Sequence, residues 1–535
     1  MRRYSPAMAV GSDGRADGGG EAQATMWWLA VAATFALLAV PFFTVDVPPV
    51  LDYPNHLARL YVLANGDDPV LSAMYAPHWT IVPNLGLDLV GVPLLRILPV
   101  YIAGRILLAA AAFIPVIGVI CYHRAAFARR SYWPLASAVI AYNGVFFLGF
   151  MNFLYGVGAA FAAAALWIAL ADRRPVVTTA AAIVAAIIIF FLHLMAVLLF
   201  ALLVGCHELA GLWQMRHDRA RPWRRVAERA AMLVAAFLPA LLLYGRSTLA
   251  GTGGAMVWRP PMAKLLDLLT PFVLYDAALT LVTAVAVIGA FVLLRGAMSV
   301  RPGAIAAAIA TAAVFAVAPY QMKHGSIVDE RLPTLIVLML FAGTWPHLSR
   351  RAGFALAAGC AAVLAVRTGE VAAVWRGHRQ DLAELRQSYA PVGPGSKVLV
   401  VTAGRIASSA YLSAEPAGRF VPFLFRMDQH LPGLMLIERH AFWPFLFADP
   451  RQQPLVVRPP YAALALPLGE PPDVTAIASD ATGGAVPAYL ANWTHNFDYV
   501  LLLDPGVIDA AALRPDRLEL LNQSDMAALY RVKPG

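Results

Sequence analysis

The stretch FLYGVGAAFAAAALWIALADRRPVVTTAAAIVAAIIIFFLHLMAVLLFALLV, residues 153–204, decides what kind of chain this is. Its only ionised side chains are Asp172, Arg173 and Arg174, and a single histidine, His193, breaks the apolar run that follows. The apolar segments around these breaks, 153–171, 176–191 and 194–210, approach the roughly 20 residues needed to cross a bilayer. One break carries two arginines and the other carries no Lys or Arg. Basic loops face the cytoplasm, so the pattern predicts three antiparallel passes with Arg173 and Arg174 inside and His193 outside.

The texture extends over most of the chain. Of its 535 residues, 60% are hydrophobic and 14% charged, with a mean hydropathy of +0.65. Soluble domains run at about 45–50% apolar and about 25% charged. A soluble enzyme, a disordered protein and a coiled coil are excluded. Further apolar runs occupy 26–43, 100–121, 132–150, 228–245, 276–295, 303–320, 332–347 and 351–367, giving eleven expected spans. The first run lacks a small-residue cleavage site and reads as an uncleaved span. With an inside N-terminus, the even loops should be basic, and they are: Arg124, Arg129 and Arg130; Arg173 and Arg174; Arg216, Arg219, Arg221, Arg224 and Arg225; Arg295 and Arg301; Arg350 and Arg351. The net charge of +9 lies on the spanning part, because residues 391–535 hold eleven Lys+Arg against thirteen Asp+Glu. That placement marks membrane topology and no nucleic-acid surface. The three cysteines, Cys121, Cys206 and Cys360, fall in apolar segments and offer no disulfide framework.

The expected organisation is a disordered cytoplasmic N-terminus (1–25), a transmembrane domain (26–367) with a long first external loop (44–99), an amphipathic interfacial linker helix (368–390) and a soluble extracytoplasmic α/β domain (391–535). In the first loop the apolar stretch 85–98, with Asp88 and Arg96 near its ends, reads as an interfacial helix. The Gly- and Pro-rich loop 245–264 reads as mobile. In the last domain KVLVV (397–401), YVLLL (499–503) and residues 527–532 read as buried strands. No internal repeat of the transporter kind is found.

Chemistry concentrates at the external loops. The first contains Asp46 and then LDYPNHLAR, residues 51–59. Pro54 suits a first helical turn, which places Asp52 at the helix mouth with His56 and Arg59 just inside. Asp52 is either a cap or a carboxylate base at the bilayer edge. A second cluster, KHGSIVDERLP at 323–333, precedes the tenth span and supplies Lys323, His324 and Arg331. It is either a solvated charged loop or a cationic phosphate site. His193, Asn143 and Asn152 read as satisfied packing groups, and the polar segments 429–433 and 438–440 either shape a loop of the last domain or contact an acceptor.

This layout of one span, a long acidic external loop with interfacial helices, many further spans and an external α/β domain resembles the GT-C superfamily of integral-membrane glycosyltransferases, such as protein mannosyltransferases and the lipid A aminoarabinose transferase. The resemblance implies an enzyme of the bacterial inner membrane, a polyprenyl-phosphate sugar donor, and a lipid, glycan or protein acceptor. It also implies an acidic base in the first loop, where Asp52 matches best, with Asp46 and His56 beside it. Arg331, Arg59, Lys323 and His324 are the residues expected to hold the donor phosphate. No cofactor is expected; a divalent metal held by Asp52 with Asp329 or Glu330 stays open, although no spacing motif supports it. A secondary transporter, a flippase for lipid-linked glycans and a non-catalytic envelope-assembly protein remain alternatives.

Overall fold

A computed structural model describes residues 17–215, 222–251, 253–323, 325–403, 418–422, 426–478, 487–509 and 513–534. The chain is a polytopic helical bundle with a strand-containing C-terminal region. Its principal helices are α1 (Asp17–Ala39), α2 (Tyr53–Ala64), α3 (Gly86–Leu95), α4 (Val100–Phe127), α5 (Met151–Leu170), α6 (Pro175–Leu192), α7 (Leu194–Met215), α8 (Pro222–Arg246), α9 (Ala277–Leu294), α10 (Pro302–Val317), α11 (Leu332–Gly343) and α12 (Arg350–Ser388). Prolines at 175, 302 and 333 start α6, α10 and α11, where the missing N–H is not needed.

Among the described residues, eight helices are long and apolar enough to cross a membrane. Two of the remaining expected spans are shorter helices, of 16 residues in α10 and 12 in α11. The third, 132–150, is broken into a 3₁₀ segment, Trp133–Ile140, and a single turn, Gly144–Phe147. The Asn143 side chain makes that break. It donates to Ile140 O at 2.8 Å and accepts from Phe146 N–H at 3.1 Å, capping the new turn.

Helices α4 and α5 pack most closely, at two glycines. A Cβ on Gly118 would meet the Gly158 carbonyl oxygen at 2.5 Å, so backbone lies directly on backbone, the usual device for helix contact in lipid. Helix α12 merges the last span with the expected linker. No proline interrupts its 39 residues, so it continues for close to 60 Å and buries Val371, Trp375, Leu382 and Leu385 against the rest of the chain. Helix α1 begins at Asp17, so residues 17–25 are helical where disorder was expected; residues 1–16 lie outside the described residues.

The C-terminal region holds a four-stranded sheet, β1 (Val398–Thr402), β2 (Tyr499–Leu503), β3 (Leu518–Gln523) and β4 (Ala527–Val532). The spatial order is β1-β2-β4-β3, with β1 and β2 parallel and the other pairs antiparallel. This region is bound to the bundle by main-chain pairing. Tyr75–Pro77 of the first loop pairs with Leu455–Val457. Glu438 accepts from Tyr389 at 2.6 Å and from Arg386 at 3.0 Å, and bonds Tyr101 as well. The loop 245–264 is also tied down: Met256–Val257 pairs with Gln321–Met322, and Thr248 donates to Arg451 O at 2.8 Å.

Candidate active site

Asp52 stands at the start of α2 with helical φ and ψ, and its side chain caps nothing. Its backbone is fixed from outside the helix. Leu51 N–H donates to Phe147 O at 2.9 Å and Asp52 N–H to Leu148 O at 3.2 Å. Gly149, at φ +84°, passes so close that a Cβ there would lie 2.9 Å from Asp52 Cβ. The carboxylate points into a cavity of about 470 Å³, with His430 Nδ1 at 3.3 Å. His56, one turn along α2, lines the same cavity against the Phe447 ring, 5.2 Å away centre to centre. Burial, with help from the charge of Arg59, holds the His56 imidazole well below its usual range, so it is neutral near pH 7.

Arg331 reaches this cavity from the other cluster. Its neighbours Asp329 and Glu330 are buried and spend their charge elsewhere. Glu330 pairs with Arg259 at 2.7 Å, Asp329 pairs with Lys264 at 2.9 Å, and Asp267 also bonds Arg259. Burial pushes Glu330 up to about 7 and Asp267 up to about 6, and Arg259 pulls both back. Arg331 therefore has no carboxylate partner within bonding distance among the described residues. Its guanidinium lies over Phe150 at 4.1 Å, donates to Ser326 O at 3.0 Å, and contacts His193 Nε2 at 3.0 Å. Burial pushes Arg331 down to about 10, which leaves it fully charged, while the charges of Asp52 and then Glu330 pull the other way.

The structure disperses the other predicted residues. Arg59 touches the cavity wall, but it is 2% exposed and bound to the equally buried Asp88 through two hydrogen bonds of 2.7 and 3.0 Å. Its charge is spent, which corrects its assignment to a donor phosphate. Asp88 is correspondingly internal and marks no headgroup boundary. Asp46 pairs with Arg386 at 2.7 Å, away from the cavity. Lys323 donates to Tyr244 Oη at 3.2 Å and Leu249 O at 3.1 Å, also outside it. His324 lies outside the described residues.

The C-terminal region completes the cavity with Gln429, His430, Phe447, Gln452, Gln453 and Glu470. Asn55 builds this roof: it donates to Phe445 O at 2.9 Å and accepts from Phe447 N–H at 2.7 Å. Asn152 shapes the floor by holding the 84–87 turn through Leu87 N–H and Asn84 O. Among the described residues that line the cavity, four keep a buried polar atom without a hydrogen-bond partner: His56 Nδ1, Asn84 Oδ1, Arg331 Nε and Gln452 Nε2. Among the described residues no group of three or more His, Cys, Asp or Glu side chains is placed to hold a metal ion.

No protein-family model matches the chain, and no curated protein matches it in sequence. Solved structures similar to it include two of the same protein. One is ArnT from Cupriavidus metallidurans in the apo state, at 14% identity and a TM-score of 0.49, with 95% of this chain and 98% of that chain covered. The other is ArnT from the same organism bound to undecaprenyl phosphate, at 13% identity and a TM-score of 0.44, covering 94% and 97%. ArnT is a lipid A aminoarabinose transferase, one of the enzymes whose layout the sequence resembles.

Proposed function

We propose that the chain is a bacterial inner-membrane glycosyltransferase. It moves a sugar from a polyprenyl-phosphate donor to a hydroxyl of a cell-envelope acceptor on the extracytoplasmic side. The observation that carries the reading is the uncapped Asp52 carboxylate sharing one cavity with the unpaired charge of Arg331. The two residues are 279 positions apart in the chain, and the chemistry needs both.

Asp52 takes the proton from the acceptor hydroxyl as its oxygen attacks the anomeric carbon. The bond from that carbon to the phosphate oxygen breaks, and the electron pair leaves with the polyprenyl phosphate. The proton on Asp52 then passes to water. Arg331 neutralises charge on the departing phosphate, which grows as the bond breaks, so it favours the transition state over the bound donor. His430 Nδ1 borders the carboxylate at 3.3 Å, and His56 lines the same cavity.

The test is transfer of labelled sugar from synthetic polyprenyl-phosphate donors to extracted envelope lipid, glycan and protein fractions. Asp52→Asn should lower turnover by about 10²–10⁴-fold with little change in melting temperature, because the Asp52 side chain bonds no helix N–H. Turnover at the wild-type rate in Asp52→Asn would falsify the base assignment.

A further inference from the structure

A cavity of about 750 Å³, larger than that of the candidate active site and sharing no lining residue with it, lies between α1 and α12. Its origin is the break in the 132–150 segment. A full span there would fill the space; the short 3₁₀ piece Trp133–Ile140 instead floors a groove with Trp133, Ala136 and Val139. Ala33 and Leu37 of α1 form one wall, and Ala357, Ala361 and Leu364 of α12 the other. No side chain of α12 before Leu364 is buried, and Phe354, on the groove, is 77% exposed. The groove therefore opens sideways, toward lipid.

Its walls are apolar except at one end. The Thr34 hydroxyl donates to Ala30 O at 2.8 Å and is satisfied within α1. Ser131, Tyr132 and Arg350 line the polar end. Arg130 stands beside it, 5.9 Å from the centre of the Trp27 ring, whose Nε1–H donates to Ser131 O at 3.0 Å. Arg351 follows Arg350 in the first turn of α12, and that turn contains no acid. Arg225 and Arg229, in the other basic loops, are paired with Asp172. Among the described residues no carboxylate pairs with Arg130, Arg350 or Arg351.

An apolar groove that ends in three guanidiniums without counter-ions fits an amphiphile with a long chain and an anionic head. We propose that it binds an anionic phospholipid from the leaflet on the side of the basic loops. One acyl chain lies along α12 from Arg350 to Leu364, about 21 Å, which matches roughly half of a bilayer about 40–45 Å thick. The phosphate accepts from the Arg350 guanidinium, whose fork suits its oxygens. A zwitterionic head would bring its own ammonium against the three arginines and is disfavoured. The lipid fills the space that the broken span leaves and holds α1 to the otherwise bare first half of α12.

Native mass spectrometry of the purified full-length protein tests this without any transfer reaction. The probes are phosphatidylglycerol and phosphatidylcholine with identical chains. Phosphatidylglycerol should bind at least about fivefold more tightly, and Arg350→Gln should weaken it about fivefold, the scale of one basic residue at an anionic surface. Ala361→Phe fills the groove and leaves every arginine in place; it should release the lipid as well. Arg331→Ala checks for entry into the candidate active site instead, and should leave phosphatidylglycerol binding unchanged. Equal binding of the two lipids, wild-type affinity in either groove variant, or a loss in Arg331→Ala would each overturn the proposal. Should Ala361→Phe not fold, Arg350→Gln decides alone, since Arg350 is exposed. Oxidative crosslinking of two copies through Cys360 in native membranes, in a chain carrying Cys121→Ala and Cys206→Ala, would assign the groove to a second copy and also overturn it.

Discussion

Arg59 and Arg331 line the same cavity, and the fold uses them in opposite ways. Arg59 sits on α2 and is clamped by both oxygens of Asp88 on α3, with neither side chain exposed. Arg331 follows two acids in sequence, yet both have been drawn off by Arg259 and Lys264 on another loop. One arginine is a structural cross-link between two short helices. The other is a charge beside a cavity with no carboxylate in bonding distance among the described residues. The sequence neighbours of a charge therefore do not say whether it is free, because its partners are chosen in three dimensions.

The largest expected effect tests the cross-link. Arg59→Ala leaves Asp88 buried and unpaired, a loss of about 3–5 kcal/mol, read as a fall in melting temperature and in yield of folded protein. Replacing both partners, with Arg59→Met and Asp88→Leu, should recover most of that stability, since a buried pair is often no better than well-packed apolar groups. A double variant as unstable as Arg59→Ala would mean that the pair does more than neutralise itself.

Gly149→Ala comes next. Its positive φ disfavours alanine by about 1–2 kcal/mol, and the added methyl would press on Asp52 at 2.9 Å. Misplacing a reacting group by about 1 Å can cost roughly a hundredfold in rate. Turnover should fall far more than stability does; a loss confined to stability would separate Asp52 from the chemistry. Arg331→Ala is the counterpart of Arg59→Ala. It removes no buried pair, so melting should barely change, while use of the donor weakens roughly ten- to a hundred-fold. Comparable destabilisation by the two alanine variants would erase the distinction between them.

The sequence shows the apolar runs, and the resulting bundle follows them, because lipid permits little except helices. It also shows three of the four sheet strands, whose continuous apolar runs suit burial on both faces. Strand β3 was not legible: LELLNQ is an edge strand, largely exposed, with no clean alternation. The break at 132–150 was hidden because one asparagine side chain, not composition, makes it. Asp52, His56 and Arg331 were legible as polar residues stranded at the bilayer edge. His193 carried the same signal, a lone titratable group between apolar spans, but a turn histidine is ordinarily satisfied by its own backbone. The segment holding His430 was legible only as a polar loop, and the contributions of Phe447 and Gln452 could not be read. Phe447 is held at the cavity by Asn55, which binds main-chain atoms about 390 residues away, and main-chain contacts leave no trace in residue type.

The smallest expected effect belongs to the third cation of the sequence-based set. Lys323 shares the loop of Arg331 and looks equally placed for phosphate when read along the chain. In the fold it occupies a tight turn at φ +56°, with Gly254 packed directly against its backbone. Its ammonium is turned toward Tyr244 and Leu249 O, at the end of α8 and the loop that follows. Partly exposed contacts of this kind contribute about 0–1 kcal/mol. Lys323→Met should therefore leave the donor KM within about fivefold of wild type, the limit set by that energy. Arg331→Ala, eight residues on, should not. Titrating the labelled donor against both variants separates them. A larger rise in KM for Lys323→Met than for Arg331→Ala would place the phosphate on the other side of the loop and reverse the roles of the two cations.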